Sequence, residues 1–291
     1  MGPPASPKPE PSRVDPPAAH GGTDDTMVEV RGLRAAYGNT VVLHDVSTSV
    51  RRGEIHVVLG GSGCGKSTLL RHMLGLEKPV AGMVRLLGQT LTDLDDAGRT
   101  SRLRRVGVLF QSGGLFHSMS VADNVAFPLR EHTTLPEELI DLIVEQKLGF
   151  VGLAHAKALL PGELSGGMKK RAGLARALAL EPELLFFDEP SAGLDPVTSS
   201  ALDDLMVELR DKLGVTLVVV THELASIDRV ADRVTFLAHG QVLGSGTIPE
   251  LRALGNAEIS NFFRRSGGDA TEGGGGPRWK VVSEPADLPN R

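Results

Sequence analysis

Residues 164–196 read LSGGMKKRAGLARALALEPELLFFDEPSAGLDP and decide the fold class. A Ser-Gly-Gly turn comes first, and Ser165 is placed to cap the helical stretch that follows it. The apolar run 184–187 then predicts a buried strand, which delivers Asp188 and Glu189 at its carboxyl end. Ligands of open parallel sheets bind at this end of the strands, so the stretch predicts an α/β fold with a site there.

The composition indicates a globular protein with an aliphatic core. The chain has 291 residues, of which 41% are hydrophobic and 4% aromatic, and its formal net charge is −5. This acidic balance argues against a general nucleic-acid binder, so we predict no nucleic-acid partner. The single cysteine, Cys64, permits no intramolecular disulfide, and no apolar run is long enough to span a membrane. We therefore expect a soluble, cytoplasmic protein that reaches a membrane only through a partner.

Three regions follow from the distribution of apolar residues. Residues 1–26 are rich in Pro, Ala and Gly and predict a disordered tail, and residues 266–291 predict a flexible one. The second tail holds the single tryptophan, Trp279, which belongs either to a disordered terminus or to a short docking peptide. The compact domain is predicted to span residues 27–265, with a mainly helical insertion at about 112–180.

Short apolar runs predict the strands of this domain. Val28–Val30 and Thr40–Leu43 favour a β-rich beginning. Ile55–Leu59 is apolar apart from His56, and Leu184–Phe187 and Thr216–Val220 are continuous apolar or β-branched runs. The last two follow helical patterns, which predicts parallel strands joined by crossover helices.

The segment GGSGCGKST fits the phosphate-binding pattern G-x-x-x-x-G-K-[ST], with a predicted strand before it and a helix after it. Its glycines let backbone N–H groups converge on phosphate oxygens, and the helix points its positive end at the same anion. Lys66 is expected to bridge the β- and γ-phosphates, and Ser67 to bind Mg²⁺ through its hydroxyl. Cys64 is either a small residue without chemistry or a redox-sensitive thiol. The predicted ATP-binding residues of this loop are Gly60, Gly61, Ser62, Gly63, Cys64, Gly65, Lys66, Ser67 and Thr68.

The acidic pair after the second strand predicts the rest of an ATPase site. Asp188 is expected to hold Mg²⁺, through water. Glu189 is placed to polarise the attacking water as general base. The alternative is an acidic strand end that merely starts a turn.

The phosphate-binding loop, the Ser-Gly-Gly turn and the Asp-Glu strand, in this order, resemble the nucleotide-binding subunits of ATP-binding-cassette (ABC) proteins. The resemblance covers about Val28 to Leu251. It implies an α/β, ABC-type P-loop NTPase fold with a mixed-sheet core, an N-terminal antiparallel β part and a helical insertion subdomain. It also implies a head-to-tail dimer of two copies, with ATP bound between one copy's loop and the other's signature turn. The signature residues are Leu164, Ser165, Gly166, Gly167 and Met168.

The same resemblance gives roles to residues outside these motifs. Tyr37 matches the aromatic residue that stacks on adenine. Gln111 matches the glutamine that touches Mg²⁺ and water and senses the membrane partner. Asp195 lies in the loop that crosses the dimer, and His222 matches the histidine that contacts the γ-phosphate.

Two stretches resemble a narrower group, the ATPases of the Mla-type phospholipid-trafficking systems that work with MCE-domain proteins. Met168 stands where most family members have Gln, and residues 110–133 read FQSGGLFHSMSVADNVAFPLREHT. The resemblance implies a membrane permease, an MCE-domain protein and a small STAS-domain protein as partners. It also implies a position on the cytoplasmic face of the inner membrane, and a role in maintaining the outer membrane or cell envelope.

Three other functions remain open from the sequence. One is an ABC ATPase for another solute, such as an amino acid. The second is a soluble ABC ATPase acting on DNA or ribosomes, although those typically carry two cassettes or a coiled-coil insertion. The third is a P-loop kinase, which would need neither the signature turn nor His222.

Overall fold

The computed structural model describes residues 25–266, so nearly all of the two predicted tails, including Trp279, lies outside it. The strands are β1 (Thr26–Tyr37), β2 (Thr40–Arg51), β3 (Ile55–Leu59), β4 (Ala81–Leu86), β5 (Gln89–Thr90), β6 (Val106–Leu109), β7 (Leu184–Asp188), β8 (Thr216–Thr221), β9 (Arg233–Ala238) and β10 (Gln241–Gly246). The α-helices are α1 (Lys66–Met73), α2 (Asp96–Leu103), α3 (Val121–His132), α4 (Glu137–Phe150), α5 (Gly166–Ala177), α6 (Pro196–Leu213), α7 (Leu224–Val230), α8 (Ile248–Ala253) and α9 (Ala257–Ser266).

A six-stranded mixed sheet forms the centre of the domain. Its strand order is β10-β9-β3-β8-β7-β6. The strands from β9 to β6 pair in parallel, and β10 pairs antiparallel with β9. The crossover connections between the parallel strands place helices against the sheet, as the sequence predicts.

Both faces of the central strands are buried, which explains their continuous apolar sequences. In β7, Leu185 and Phe187 pack among the helices on one face, whereas Leu184 and Phe186 pack towards the second sheet on the other. The strands β3 and β8 alternate in the same way. The sheet is therefore held in place from both sides, and its carboxyl edge is a firm base for a site.

A four-stranded antiparallel sheet, of order β2-β1-β4-β5, covers one face of the central sheet. A buried chain of polar groups joins the two sheets. The ring of His56 lies 3.1 Å from Glu54 Oε1 and 2.9 Å from Thr235 Oγ1, and that hydroxyl lies 2.7 Å from Thr48 Oγ1. Each of these side chains has a partner, so the chain can be buried without an unsatisfied group.

Between β6 and β7 the described structure is helical, with α3, α4, α5 and two short 3₁₀ turns at Ala154–Ala156 and Pro161–Glu163. The sequence predicts a mainly helical insertion at about residues 112–180. Ser120 caps α3 by accepting a hydrogen bond from the backbone of Asp123 at 3.1 Å. Asn124, fully buried, accepts from the Phe116 amide and donates to the Phe116 carbonyl, which fixes the loop before α3.

Candidate nucleotide-binding site

The predicted site residues follow the ends of neighbouring parallel strands. Lys66 begins the helix after β3, Gln111 comes two residues after β6, Asp188 ends β7, and His222 follows β8 directly. These four strands are adjacent and parallel, in the order β3-β8-β7-β6. The structure therefore brings all four residues to the same edge of one sheet, where ligands of such sheets bind.

Two glycines of the phosphate-binding loop, Gly60 and Gly65, are required by the backbone. Gly65 caps α1 with φ of 106°, and a Cβ atom there would lie 2.6 Å from Leu43 Cδ2. At Gly60, a Cβ atom would lie 2.1 Å from the Leu237 carbonyl oxygen. The loop passes so close to its neighbours that neither position can carry a side chain. It leads into the amino end of α1, and this end of a helix favours an anion.

Lys66 lies within the curve of this loop. Its side chain is 6% exposed, and Nζ donates to the carbonyl oxygens of Gly60 at 2.9 Å and Gly61 at 3.0 Å. Nζ also lies 3.7 Å from Glu189 Oε1. The loop therefore holds a buried positive charge close to the predicted general base, which suits the binding of phosphate groups.

Glu189 makes contact with two of the predicted site residues. Besides its approach to Lys66, both carboxylate oxygens lie 2.9 Å from Nδ1 of His222. The Glu189 side chain is 13% exposed and its backbone has φ of 48°, in the left-handed region that non-glycine residues seldom adopt. These contacts fix the position of the carboxylate at the strand end, and a general base needs such positioning towards the attacking water.

Asp188 is a carboxylate with unused hydrogen-bonding capacity. Its Oδ1 atom is buried and makes no hydrogen bond. Burial raises the pKa of the Asp188 carboxyl, and the charge of Glu189 raises that pKa further, while Arg71 and Lys66 oppose the shift. A cation would satisfy the orphaned oxygen and favour the ionised form, so this residue fits a metal ligand.

The other predicted metal ligands, Ser67 and Gln111, have exposed side chains at the same edge. Among residues 25–266, no group of three or more His, Cys, Asp or Glu residues is arranged to hold a metal ion. Phosphate oxygens and water are further ligands of the kind that Mg²⁺ prefers.

Tyr37 ends β1 and is 46% exposed. Its hydroxyl donates to Glu77 Oε2 at 2.6 Å and accepts from Arg71 Nη1 at 3.4 Å. The sequence reasoning missed Arg71 and Glu77, because nothing in their spacing marks them as partners of a residue 34 or 40 positions earlier. Their contacts hold the tyrosine beside α1, and its stacking role stays a prediction.

Cys64 has a partly buried free thiol in the phosphate-binding loop. Burial raises its pKa, with Glu189 adding to the shift, while Lys66 opposes it. A raised pKa keeps the thiol protonated and unreactive, which favours the interpretation of Cys64 as a small residue without chemistry.

The signature turn begins α5 as the sequence predicts. Ser165 accepts a hydrogen bond from the Met168 amide at 3.3 Å and so caps the helix. Leu164 and Gly167 are buried, whereas Ser165 and Gly166 are exposed. The exposed part of the turn is free to meet a ligand from outside the subunit.

Asp195 has a local role in addition to the predicted one. It caps α6 by accepting from the amides of Val197 at 3.1 Å and Thr198 at 3.0 Å. The hydrogen bond from the Thr198 hydroxyl lowers the pKa of the Asp195 carboxyl, which keeps it ionised. Its predicted place in a loop that crosses a dimer stays a prediction.

Comparison with known proteins agrees with this geometry. The sequence profile of the ABC transporter family matches residues 43–192. The chain is 42% identical over 237 residues to the intermembrane phospholipid transport system ATP-binding protein MlaF of Escherichia coli K12, covering 81% of this chain and 88% of that protein. It is 38% identical over 256 residues to the methionine import ATP-binding protein MetN of Campylobacter jejuni, covering 82% and 76% respectively.

Solved structures give the same result. The dimeric post-hydrolysis state of the ATP-binding cassette MJ0796, bound to ADP and Pi, matches with a TM-score of 0.70 and 30% identity. The match covers 76% of this chain and 99% of that one. The chain therefore belongs to the ABC transporter family, and its predicted fold class and ATPase activity are confirmed. None of the helices within residues 25–266 has the length and apolar character needed to cross a membrane.

Proposed function

We propose that this chain is the ATP-hydrolysing subunit of an Mla-type ABC system that moves phospholipids across the cell envelope. The observation that carries the proposal is the 42% identity to E. coli MlaF over 81% of this chain and 88% of that protein. Met168 in the signature turn, where most family members have Gln, supports the same assignment.

The chemistry is phosphoryl transfer from ATP to water, and the chain contributes positioning and charge. Backbone N–H groups of residues 60–68 and the ammonium of Lys66 bind the phosphates. Glu189 accepts the proton of the attacking water, and His222, in contact with Glu189, orients that carboxylate and meets the γ-phosphate. Mg²⁺ would be held by Asp188, Ser67 and Gln111 together with phosphate oxygens, and it would neutralise charge on the phosphates when bound.

A head-to-tail dimer completes each site. The exposed Ser165 and Gly166 at the start of α5 supply free N–H groups to the γ-phosphate bound by the other copy. Asp195 lies in the loop that crosses from one copy to the other. The support is the exposure of the turn and the likeness to the dimeric MJ0796 cassette.

The partners in this proposal are supported by the likeness to MlaF and by residues 110–133. A membrane permease docks on the helical insertion near Gln111, and an MCE-domain protein and a small STAS-domain protein complete the system. The chain then works on the cytoplasmic face of the inner membrane, where its ATP cycle drives lipid movement.

The hydrolytic role of Glu189 is tested by Glu189→Gln. Gln keeps the size of the side chain but cannot take up a proton, so we expect turnover to fall about 10²- to 10⁴-fold while ATP remains bound. Glu181→Gln is a matched control, because Glu181 also has a left-handed backbone, with φ of 52°, but lies outside the site. ATP hydrolysis at the wild-type rate by Glu189→Gln would remove this residue from the mechanism.

The composite site is tested by mixing two inactive variants. Ser165→Arg blocks the turn that serves the other copy, and Lys66→Ala disables a chain's own loop. A heterodimer of the two retains one site with an intact loop and an intact turn, so equal mixing restores about a quarter of the wild-type activity. A mixture as inactive as the separate variants would show that each subunit completes its own site.

The lipid assignment is tested by affinity purification of the chain from native membranes, followed by mass spectrometry of proteins and lipids. We expect a permease, an MCE-domain protein and bound phospholipid. A second candidate, import of an amino acid, is favoured by the 38% identity to MetN. Recovery of an amino-acid-binding protein in place of the MCE-domain protein would decide for that candidate.

A further inference from the structure

A buried lysine on the signature helix holds the loop that carries Glu189. Lys170 is 5% exposed and lies in the second turn of α5. Its Nζ donates to three backbone carbonyl oxygens, those of Glu189 at 3.2 Å, Pro190 at 2.5 Å and Ala192 at 2.7 Å. One ammonium group therefore binds three carbonyl oxygens within residues 189–192, and these hydrogen bonds fix the path of the backbone there.

The stretch needs such support because its backbone is strained. The left-handed conformation of Glu189 is unfavourable for a residue other than glycine and persists only where its surroundings impose it. The Glu189 amide donates to Val220 O at 2.8 Å, which fixes one side of the residue, and Lys170 fixes the other through the Glu189 carbonyl. The direction of the Glu189 side chain depends on both anchors.

The surroundings of Lys170 act on its charge in opposite directions, and the effect of burial is the largest. Burial lowers the pKa of the ammonium, and the nearby carboxylates of Glu223 and Glu189 oppose that shift. Hydrogen bonds from a charged donor are stronger than those from a neutral one, so the lysine is a better anchor than a neutral side chain of equal size.

The first turn of the same helix carries the signature residues. Gly167 packs against α6 so closely that a Cβ atom there would lie 2.4 Å from Thr198 Cγ2. The beginning of α5 is thereby joined to the Glu189 loop through Lys170 and to α6 through Gly167. In the proposed dimer, the signature turn contacts the ATP of the other copy, and Glu189 acts on the ATP of its own copy. Both are thus parts of one packed unit.

We propose that Lys170 is a positioning residue for ATP hydrolysis, which holds Glu189 in its productive backbone conformation and ties it to the signature turn. The inference rests on the proposed role of Glu189 as the base. Lys170 donates to backbone carbonyl oxygens of the Glu189 loop. We therefore expect loss of this side chain to shift Glu189 and lower the rate of hydrolysis, without weakening ATP binding.

The test is steady-state ATP hydrolysis and ATP binding by the complex purified from native membranes, for wild type, Lys170→Met, Lys170→Arg and Lys169→Met. Lys170→Met keeps the length of the side chain but removes its donors. Since misplacement of a catalytic group by about 1 Å can cost about 10²-fold, we expect kcat to fall about 10- to 100-fold with KM and ATP affinity within about two-fold of wild type. Lys170→Arg restores donors and is expected to recover most of kcat. Lys169→Met makes the same change at the next position of the helix and is expected to match wild type.

The outcomes separate this proposal from the proposed function. If wild type hydrolyses ATP and Lys170→Met does so with the same kcat, the positioning role is refuted while the ATPase assignment stands. Loss of ATP affinity in parallel with kcat, or an equal defect in Lys170→Arg, would overturn the proposal in favour of a general structural role. If the wild-type complex itself hydrolyses no ATP, the failure lies with the proposed function.

Discussion

The contact between α5 and the loop after Gln111 gives a quantitative prediction about two helical glycines. Gly173 lies in α5, and a Cβ atom there would be 2.4 Å from the Gly113 carbonyl oxygen and 2.9 Å from Leu109 Cδ1. Gly149 lies in α4, and no atom approaches within 4 Å of its would-be Cβ. The same substitution to alanine therefore meets an obstacle at one site and open space at the other.

The expected magnitudes follow from these distances. Replacing glycine by alanine within a helix normally stabilises by about 0.5–1 kcal/mol, which is the expectation for Gly149→Ala. At Gly173 the obstacle is backbone, which cannot rotate away, so overpacking is expected near the upper end of its range, about 3 kcal/mol. After a gain of about 1 kcal/mol in helix propensity, Gly173→Ala is destabilised by about 2 kcal/mol.

The assay is thermal unfolding followed by circular dichroism, with ATP hydrolysis measured below the transition. For a domain of this size, about 2–4 °C of Tm corresponds to 1 kcal/mol, so Gly173→Ala should melt about 4–8 °C lower and Gly149→Ala slightly higher than wild type. Hydrolysis by Gly173→Ala is also expected to fall, because the displaced loop follows Gln111. If the two variants shift Tm in the same direction and by similar amounts, the packing argument is wrong.

Two further predictions concern the nucleotide and the cation. Tyr37→Ala is expected to weaken ATP binding by about 1–3 kcal/mol, which is the range for stacking of a base on an aromatic ring. Tyr37→Phe keeps the ring and should bind ATP nearly as well as wild type. Equal losses of affinity in titrations of both variants would assign the effect to the hydroxyl and its hydrogen bond to Glu77. The raised pKa of Asp188 means that the folded state holds this proton more tightly than the unfolded chain, so ionisation of Asp188 costs stability as pH rises. Asp188→Asn should therefore melt above wild type at pH 7 without nucleotide or Mg²⁺, by a margin that shrinks towards pH 4, and should lose Mg²⁺-dependent hydrolysis. A margin independent of pH would contradict the assignment of this cost to the Asp188 charge.

Elements with a strong local signal could be predicted from the sequence. The strand Ile55–Leu59 is found with the predicted bounds, because its apolar run is buried on both faces and leads directly into the glycine-rich loop. The start of α5 was predictable from the cap residue Ser165. By contrast, α2 has no buried residue, so its sequence carries no apolar periodicity to indicate a helix.

The N-terminal strands show why lengths were harder to predict than positions. β1 and β2 each span 12 residues, whereas only Val28–Val30 and Thr40–Leu43 give a clear strand pattern. The register between them shifts at several points, and Gly32 and Asp45 adopt left-handed backbones with φ of 58° and 55°. Each irregularity interrupts the alternation of apolar and polar residues that marks a strand.

The contacts of the signature helix could not be predicted, because their partners are backbone atoms distant in the chain. Lys170, Gly173 and Arg176 are spaced by three residues, so they lie along one side of α5. Lys170 holds the carbonyls after Glu189, Gly173 makes room for the Gly113 carbonyl, and Arg176 donates to Gly114 O at 2.5 Å. The sequence identifies the side chains of α5, but it does not indicate which backbone carbonyl groups lie next to them.

One helix thereby supports both loops that complete the candidate site. The loop after Gln111 rests on α5 through Gly173 and Arg176, and the loop after Asp188 rests on it through Lys170. Because packed helices move as rigid bodies, displacing the Gln111 loop must either move α5, and with it Glu189, or break these contacts. A membrane subunit that bound next to Gln111 could therefore alter the position of the general base without touching the nucleotide. We therefore expect substitutions at Lys170 and Gly173, like Glu189→Gln, to lower the rate of hydrolysis while ATP binding is retained.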